Sequence, residues 1–300
     1  MPIPKLTIMA AILLAGLSWT QLAAASCECG YLVSRGSQAS VLFTNSIVTD
    51  FTDPNLNDIG SDWWRTSNSI SGDPGNVPPL LDLQYSVDNI YRDGEGLVIM
   101  TPAYSGKGPV GGGHPDLIDL PIHLLSELQT VLEDIPYGSF RATMKTSSVQ
   151  SVCQSLFFYE SDSQEIDIEL LTGAPNETGG TGSLHFTNQP DITTAPEAGF
   201  DPAADYHDYR IDRIPGKSQM WVDGVLRATL TQEVPNIPGK ILFNSWSNGN
   251  PTWSQGPPKE NALLRISSTT LYFNRTNAAE NTAFSARCAK ATGTNKVCMV

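Results

Sequence analysis

The chain has 300 residues, with 18 Lys and Arg against 31 Asp and Glu and a formal net charge of −13. No Lys/Arg cluster offsets that balance, so nucleic acid and anionic membranes are poor partners. A neutral polysaccharide is compatible with it.

Lys5 precedes an apolar run from Ile8 to Leu17, and Ala23-Ala24-Ala25 follows with small residues suited to cleavage. Residues 1–25 therefore read as a secretory signal peptide. Nothing later is apolar enough to span a bilayer. The mature protein is expected to be secreted, extracellular or in a cell wall, as a monomer. Residues 26–300 are expected to form a single all-β domain, with 274–300 as a C-terminal extension. Five cysteines then sit in an oxidising compartment. Cys288 and Cys298 close a short loop and are the expected disulfide. Cys27, Cys29 and Cys153 leave one odd thiol, and the full connectivity stays open. Cys27-Glu28-Cys29 has no His or Cys cluster elsewhere to complete a metal site.

In chain order, Val33 to Asp50 reads as a strand pair around a turn. Residues 51–80 are rich in Asp, Asn, Pro, Gly and Ser and read as a long surface loop. Trp63 and Trp64 lie within it. If extended they point to opposite sides, so that one packs inside and the other is offered to a sugar, or both are drawn into the core. Tyr85–Tyr91 and Gly96–Thr101 read as a hairpin around Arg92-Asp93-Gly94-Glu95. The stretch Gly106 to Asp116 is glycine-rich, but Lys107 precedes Gly111-Gly112-Gly113, the wrong order for a phosphate loop.

Asp119–Asp134 is ambiguous. Leu120, Leu124, Leu125, Leu128 and Leu132 recur at helical spacing, while Ser126 to Thr130 equally suits a strand. After Pro136 the pattern clears into many short strands joined by Gly/Pro-rich turns. Val222-Asp223-Gly224-Val225 carries the Asp-Gly hairpin signal. Little convincing helix is present, and the fold class is all-β, a sandwich or barrel.

One strand stands apart. In Gln164-Glu165-Ile166-Asp167-Ile168-Glu169-Leu170-Leu171, acids and aliphatics alternate strictly. Glu165, Asp167 and Glu169 share one face and Ile166, Ile168 and Leu170 the other. Three crowded carboxylates repel one another and raise at least one pKa. A catalyst of glycoside hydrolysis needs that separation, with one carboxyl protonated as acid and a second ionised as nucleophile or base. Glu165 and Glu169 lie about 13 Å apart at the backbone, at a rise of about 3.3 Å per residue. Their side chains can converge over the shorter Asp167, which suits the close spacing of a retaining enzyme, about 5–5.5 Å. The plainer alternative is an amphipathic strand with its acidic face in water.

Taken in order, Tyr137-Gly138-Ser139-Phe140-Arg141-Ala142, Ser155 to Tyr159, Glu165 to Glu169, Tyr206-His207-Asp208-Tyr209, Trp221 to Gly224, Lys240 to Trp246 and Leu271 to Asn274 resemble glycoside hydrolase family 16. The resemblance implies a concanavalin-like jelly-roll β-sandwich whose concave sheet holds a sugar cleft. It implies Glu165 as nucleophile, Glu169 as acid/base and Asp167 as electrostatic assistant. The five-residue motif is similar to the lichenase and transglycosylase branches. Asn244 would bond a sugar hydroxyl and Trp246 would stack on a ring, with Trp253 as a further stacking candidate. Gln129 falls where transglycosylases have glutamine and lichenases arginine. His185, on the strand after the acidic one, is a candidate substrate contact, whereas His207 is read as a structural hydrogen-bonder. Ser163 and Gln164 replace a tryptophan and an acid that lichenases carry.

No cofactor is required by this chemistry. The resemblance allows a structural calcium on the convex face, for which no ligands can be named. Asn176-Glu177-Thr178 and Asn274-Arg275-Thr276 are N-glycosylation acceptors. Three functions are open: an endo-acting hydrolase of β-1,3/1,4-glucan, which is the expectation; a wall transglycosylase using the same residues; and a silent lectin-like binder, against which the intact acids argue.

Overall fold

In the computed structural model, which describes residues 27–73, 75, 80–104, 122–173, 183–292 and 296–300, two large sheets pack face to face. The first orders its strands Ile192–Thr194, Ser183–Asn188, Gln164–Leu171, Cys153–Ser161, Lys240–Trp246, Ile122–Thr130, Asp82–Tyr85 and Ser69–Ile70. Trp63–Arg65 also pairs with Ile122–Thr130. The second runs Val225–Leu230, Lys217–Val222, His207–Ile214, Gly138–Lys145, Ala262–Phe273, Gly96–Thr101 and Ile90–Asp93, and Asn45–Asp50 joins it against Ala262–Phe273.

Period-two alternation fills the space between them. Leu156, Phe158, Ile166, Ile168, Phe186, Ile241 and Phe243 from the first sheet meet Phe140, Ala142, Tyr209, Ile211, Leu264, Ile266 and Leu271 from the second in one buried cluster. The expected jelly-roll sandwich is the fold. Burying the aliphatic half of the acidic strand turns Glu165, Asp167 and Glu169 outward.

Several elements differ from expectation for identifiable reasons. The ambiguous block is a strand, Ile122–Thr130, because it pairs in parallel with Asp82–Tyr85 and antiparallel with Lys240–Trp246. The proposed hairpin starts later, at Ile90, since Asp82–Tyr85 belongs to the opposite sheet. The 51–80 stretch is not all loop, for it contains Trp63–Arg65 and Ser69–Ile70. A helix, Ala278–Lys290, was not expected. Asn277 caps it, its side chain accepting from the backbone N–H groups of Ala279 and Glu280. The Asn-x-x-Glu spacing was the available signal, but the helix buries no residue and so has no apolar stripe to read.

The disulfide expectation is corrected. Cys298 bonds Cys27 and Cys288 bonds Cys29, leaving Cys153 as the free, buried thiol. The reason is topological: Cys298–Met299 pairs in parallel with Tyr31–Arg35, setting Cys298 opposite Tyr31. Each cysteine of the C-terminal pair therefore meets one of the two N-terminal cysteines instead of the other.

His207 lies on the second sheet with its Nδ1 2.7 Å from Asp223 Oδ2, a structural contact. Asn274 directly follows the long strand, and its side-chain oxygen accepts from the Thr44 backbone N–H at 3.2 Å. The Asn176 triplet, the expected leader and the glycine-rich stretch around Lys107 fall outside the described residues. Among the described residues no helix is long and apolar enough to cross a membrane. No three His, Cys, Asp or Glu side chains among them are grouped as a metal ion would need, so the calcium expectation gains no ligands.

Candidate active site

The outer face of the first sheet carries an open cleft of about 500 Å³. Strand register arranges its floor in cross-strand rows. One row runs Asp167, Phe157, Leu242, Gln129, each directly opposite the next. A second runs Glu169, Ser155, Asn244, Glu127, and a third begins Glu165, Tyr159, Lys240. All of these side chains line the cleft. Residues distant in sequence are thus placed side by side by pairing alone.

Asp167 is 2% exposed and lies between its two neighbours on the strand. Burial, then the charges of Glu165 and Glu169, raise its pKa well above the ordinary value. The hydrogen bond between Asp167 and Glu165 raises the first and lowers the second, favouring the proton on Asp167. Asp167 Oδ2 accepts from Gln189 Nε2 at 3.0 Å. Burial also pushes Glu165 up, to about 7, helped by the repulsion of Glu169 and offset by the bond from Asp167. Glu169 is raised by burial. Two donors oppose that rise: the Cys153 thiol, 3.3 Å from Glu169 Oε1, and the Trp253 indole.

The remaining expected residues divide. Asn244 is buried on the cleft floor; its carboxamide oxygen accepts from the Ser155 hydroxyl and its amide donates to Glu127. Trp246 lines the cleft and packs on the Leu83, Tyr85 and Leu125 cluster. Gln129 lines it as well. His185 stands opposite Glu169 in register, with its ring centroid 4.7 Å from that of Trp253. Burial lowers its pKa, and its Nε2 has no hydrogen-bond partner among the described residues. His185 and Trp253 thus flank Glu169 rather than the open floor.

Glu127 was missed from sequence. It is 9% exposed, accepts from Tyr85 and Asn244, and has its pKa raised by burial. An acid two residues before Gln129 shares its face in a strand, and the open choice between helix and strand hid that relation. Ser155, Phe157 and Tyr159 were missed too, and the same period, counted across from the acidic strand, was the available signal.

Fold and site together are a jelly-roll sandwich with an acid-floored open cleft on the outer face of one sheet. A family model described as glycosyl hydrolases family 16 matches residues 84–263. The chain belongs to that family. It is 33% identical over 124 residues to a beta-glucanase of Paenibacillus polymyxa, covering 39% of this chain and 51% of that protein. The chain thus spans about half the length of the curated relatives it matches. Its fold is similar to that of the Bacillus licheniformis beta-glucanase, with a TM-score of 0.56 at 20% identity, covering 77% of this chain and 98% of the other. It is also similar to a Crh5 transglycosylase, with a TM-score of 0.50 at 17% identity over 77% of this chain and 85% of the other.

Proposed function

We propose that this protein is a secreted, retaining glycosidase that cuts inside β-glucan chains containing 1,3 or 1,4 linkages. The observation that carries the reading is the trio Glu165, Asp167 and Glu169 on one open floor, with Asp167 hydrogen-bonded to Glu165. Glu165 attacks the anomeric carbon and forms an ester to it as the glycosidic C–O bond breaks. Glu169 gives its proton to the departing oxygen. Glu169 then takes a proton from water, whose oxygen replaces Glu165 at the same carbon. The proton on Asp167 steadies the charge on Glu165 and orients its attacking oxygen. Asn244 and Glu127 offer a donor and an acceptor to sugar hydroxyls, and Trp246 and Phe157 offer apolar faces. Two disulfides support an oxidising destination for the chain.

Transglycosylation is the second reading. Gln129 favours it, because it lines the cleft at the position where the resemblance places glutamine in transglycosylases. Both readings share the covalent intermediate and differ in whether water or a sugar hydroxyl resolves it.

The test is to incubate the protein with a panel of β-glucans, with and without a fluorescent oligosaccharide acceptor, and to size the products. Shortened chains with no labelled polymer are expected. Label entering long chains makes the protein a transglycosylase, and no change on any glucan sinks both. The rate optimum is expected below about pH 8, because the acid step needs Glu169 protonated. An optimum above that value contradicts the assignment of Glu169.

A further inference from the structure

We propose that Trp64 forms a sugar-stacking subsite that extends the cleft beyond Gln129 and is reached only by long β-glucan chains. This rests on the reading of the cleft as a glucan site. Trp64 is 61% exposed, while its neighbour Trp63 is 3% exposed. Two constraints fix that difference. Trp63 donates its indole N–H to Thr49 Oγ1 at 3.0 Å and packs against Phe51 and Phe243 in the core. Period-two geometry then turns Trp64 to the outer face. An exposed tryptophan leaves a large apolar surface in water, and here it is held there by the strand rather than by a loop.

Register places it. Trp64 pairs directly with Gln129, so it continues the row Asp167, Phe157, Leu242, Gln129 by one more strand. Thr66, Asn68 and Ile70, of the same parity on the same segment, line the cleft. Val131, just past the end of the neighbouring strand, is a second exposed apolar side chain at this edge, 53% exposed. At a strand spacing of about 4.8 Å, the four steps from Asp167 to Trp64 span about 19 Å. That distance is several sugar units from the reacting bond. An indole face suits the axial C–H face of a β-linked glucose, whose equatorial hydroxyls remain in water around it. Phe157, Leu242 and Gln129, which separate Asp167 from this platform in the row, carry no charge.

The experiment compares the full-length protein with its Trp64→Ala and Trp64→Tyr variants on a long soluble β-glucan and on a chromogenic trisaccharide too short to reach Trp64. Trp64→Ala is expected to raise KM on the polymer about five- to tenfold, with kcat and all trisaccharide kinetics unchanged. Trp64→Tyr is expected to recover most of the loss. Equal losses on both substrates, or none on the polymer, overturn the subsite while leaving the glucanase reading intact. Polymer binding is measured in parallel by affinity electrophoresis in the Glu165→Gln background. Weaker retardation with Trp64→Ala supports the subsite, and no retardation of either protein by any glucan overturns both readings together.

Discussion

Glu165→Gln is expected to abolish turnover of β-glucan, lowering kcat by at least about 10⁴-fold, the scale lost when a nucleophile is removed from a hydrolase. The amide keeps the size of the carboxyl but cannot form the ester to the anomeric carbon. Polymer binding should survive, because Asn244, Glu127 and Trp246 are untouched. The same variant should also be more stable at high pH. In the wild type, burial and then the repulsion of Glu169 raise Glu165 from its ordinary 4.5 to about 7. A carboxyl raised in this way holds its proton more tightly folded than unfolded. Its contribution to stability is full below about pH 4.5 and is lost as pH rises through about 7. Glutamine never ionises and escapes that loss. The melting temperature of Glu165→Gln should therefore match the wild type at pH 4 and exceed it by several degrees at pH 8. A constant offset at both values would show that Glu165 is not part of a crowded acidic cluster, and retained turnover would remove it as nucleophile.

The acidic strand was legible because its information is local. Alternation of Glu165, Ile166, Asp167, Ile168 and Glu169 decides both the element and its two faces, and burial of the aliphatic half then needs no further instruction. Glu127 was not legible, since Leu124, Leu125 and Leu128 satisfy a helix as well as a strand. The tie is broken by pairing with Asp82–Tyr85 and Lys240–Trp246, segments remote in the chain. The disulfides failed for the same reason. A two-residue strand at Cys298 carries almost no pattern, yet its parallel pairing with Tyr31–Arg35 brings Cys298 to the N-terminal cysteines and away from Cys288. Trp63 and Trp64 lie between these cases: alternation separates the two rings, and only the register with Gln129 says where the outer one points.

Glu169→Ala should separate the two glutamates by role. On polysaccharide, whose leaving oxygen needs a proton, kcat/KM is expected to fall about 10²- to 10⁴-fold. On an aryl glycoside with an acidic phenol as leaving group, bond cleavage needs no proton, and the first step should stay close to wild-type speed. The ester to Glu165 then accumulates, giving a burst, and added azide should clear it without a general base. Equal losses on both substrates would assign Glu169 to binding or structure instead. The thiol beneath it supplies a finer test. Cys153 donates to Glu169 and thereby favours the ionised carboxylate, as does Trp253. Cys153→Val removes one donor without touching the sugar, so the proton on Glu169 should be held to higher pH. The alkaline limb of kcat against pH is expected to move upward, with KM for the polymer unchanged. A merely structural thiol would lower activity evenly across the profile and leave the limb in place. Movement of the limb ties the buried cysteine to the proton that the reaction spends on its leaving group.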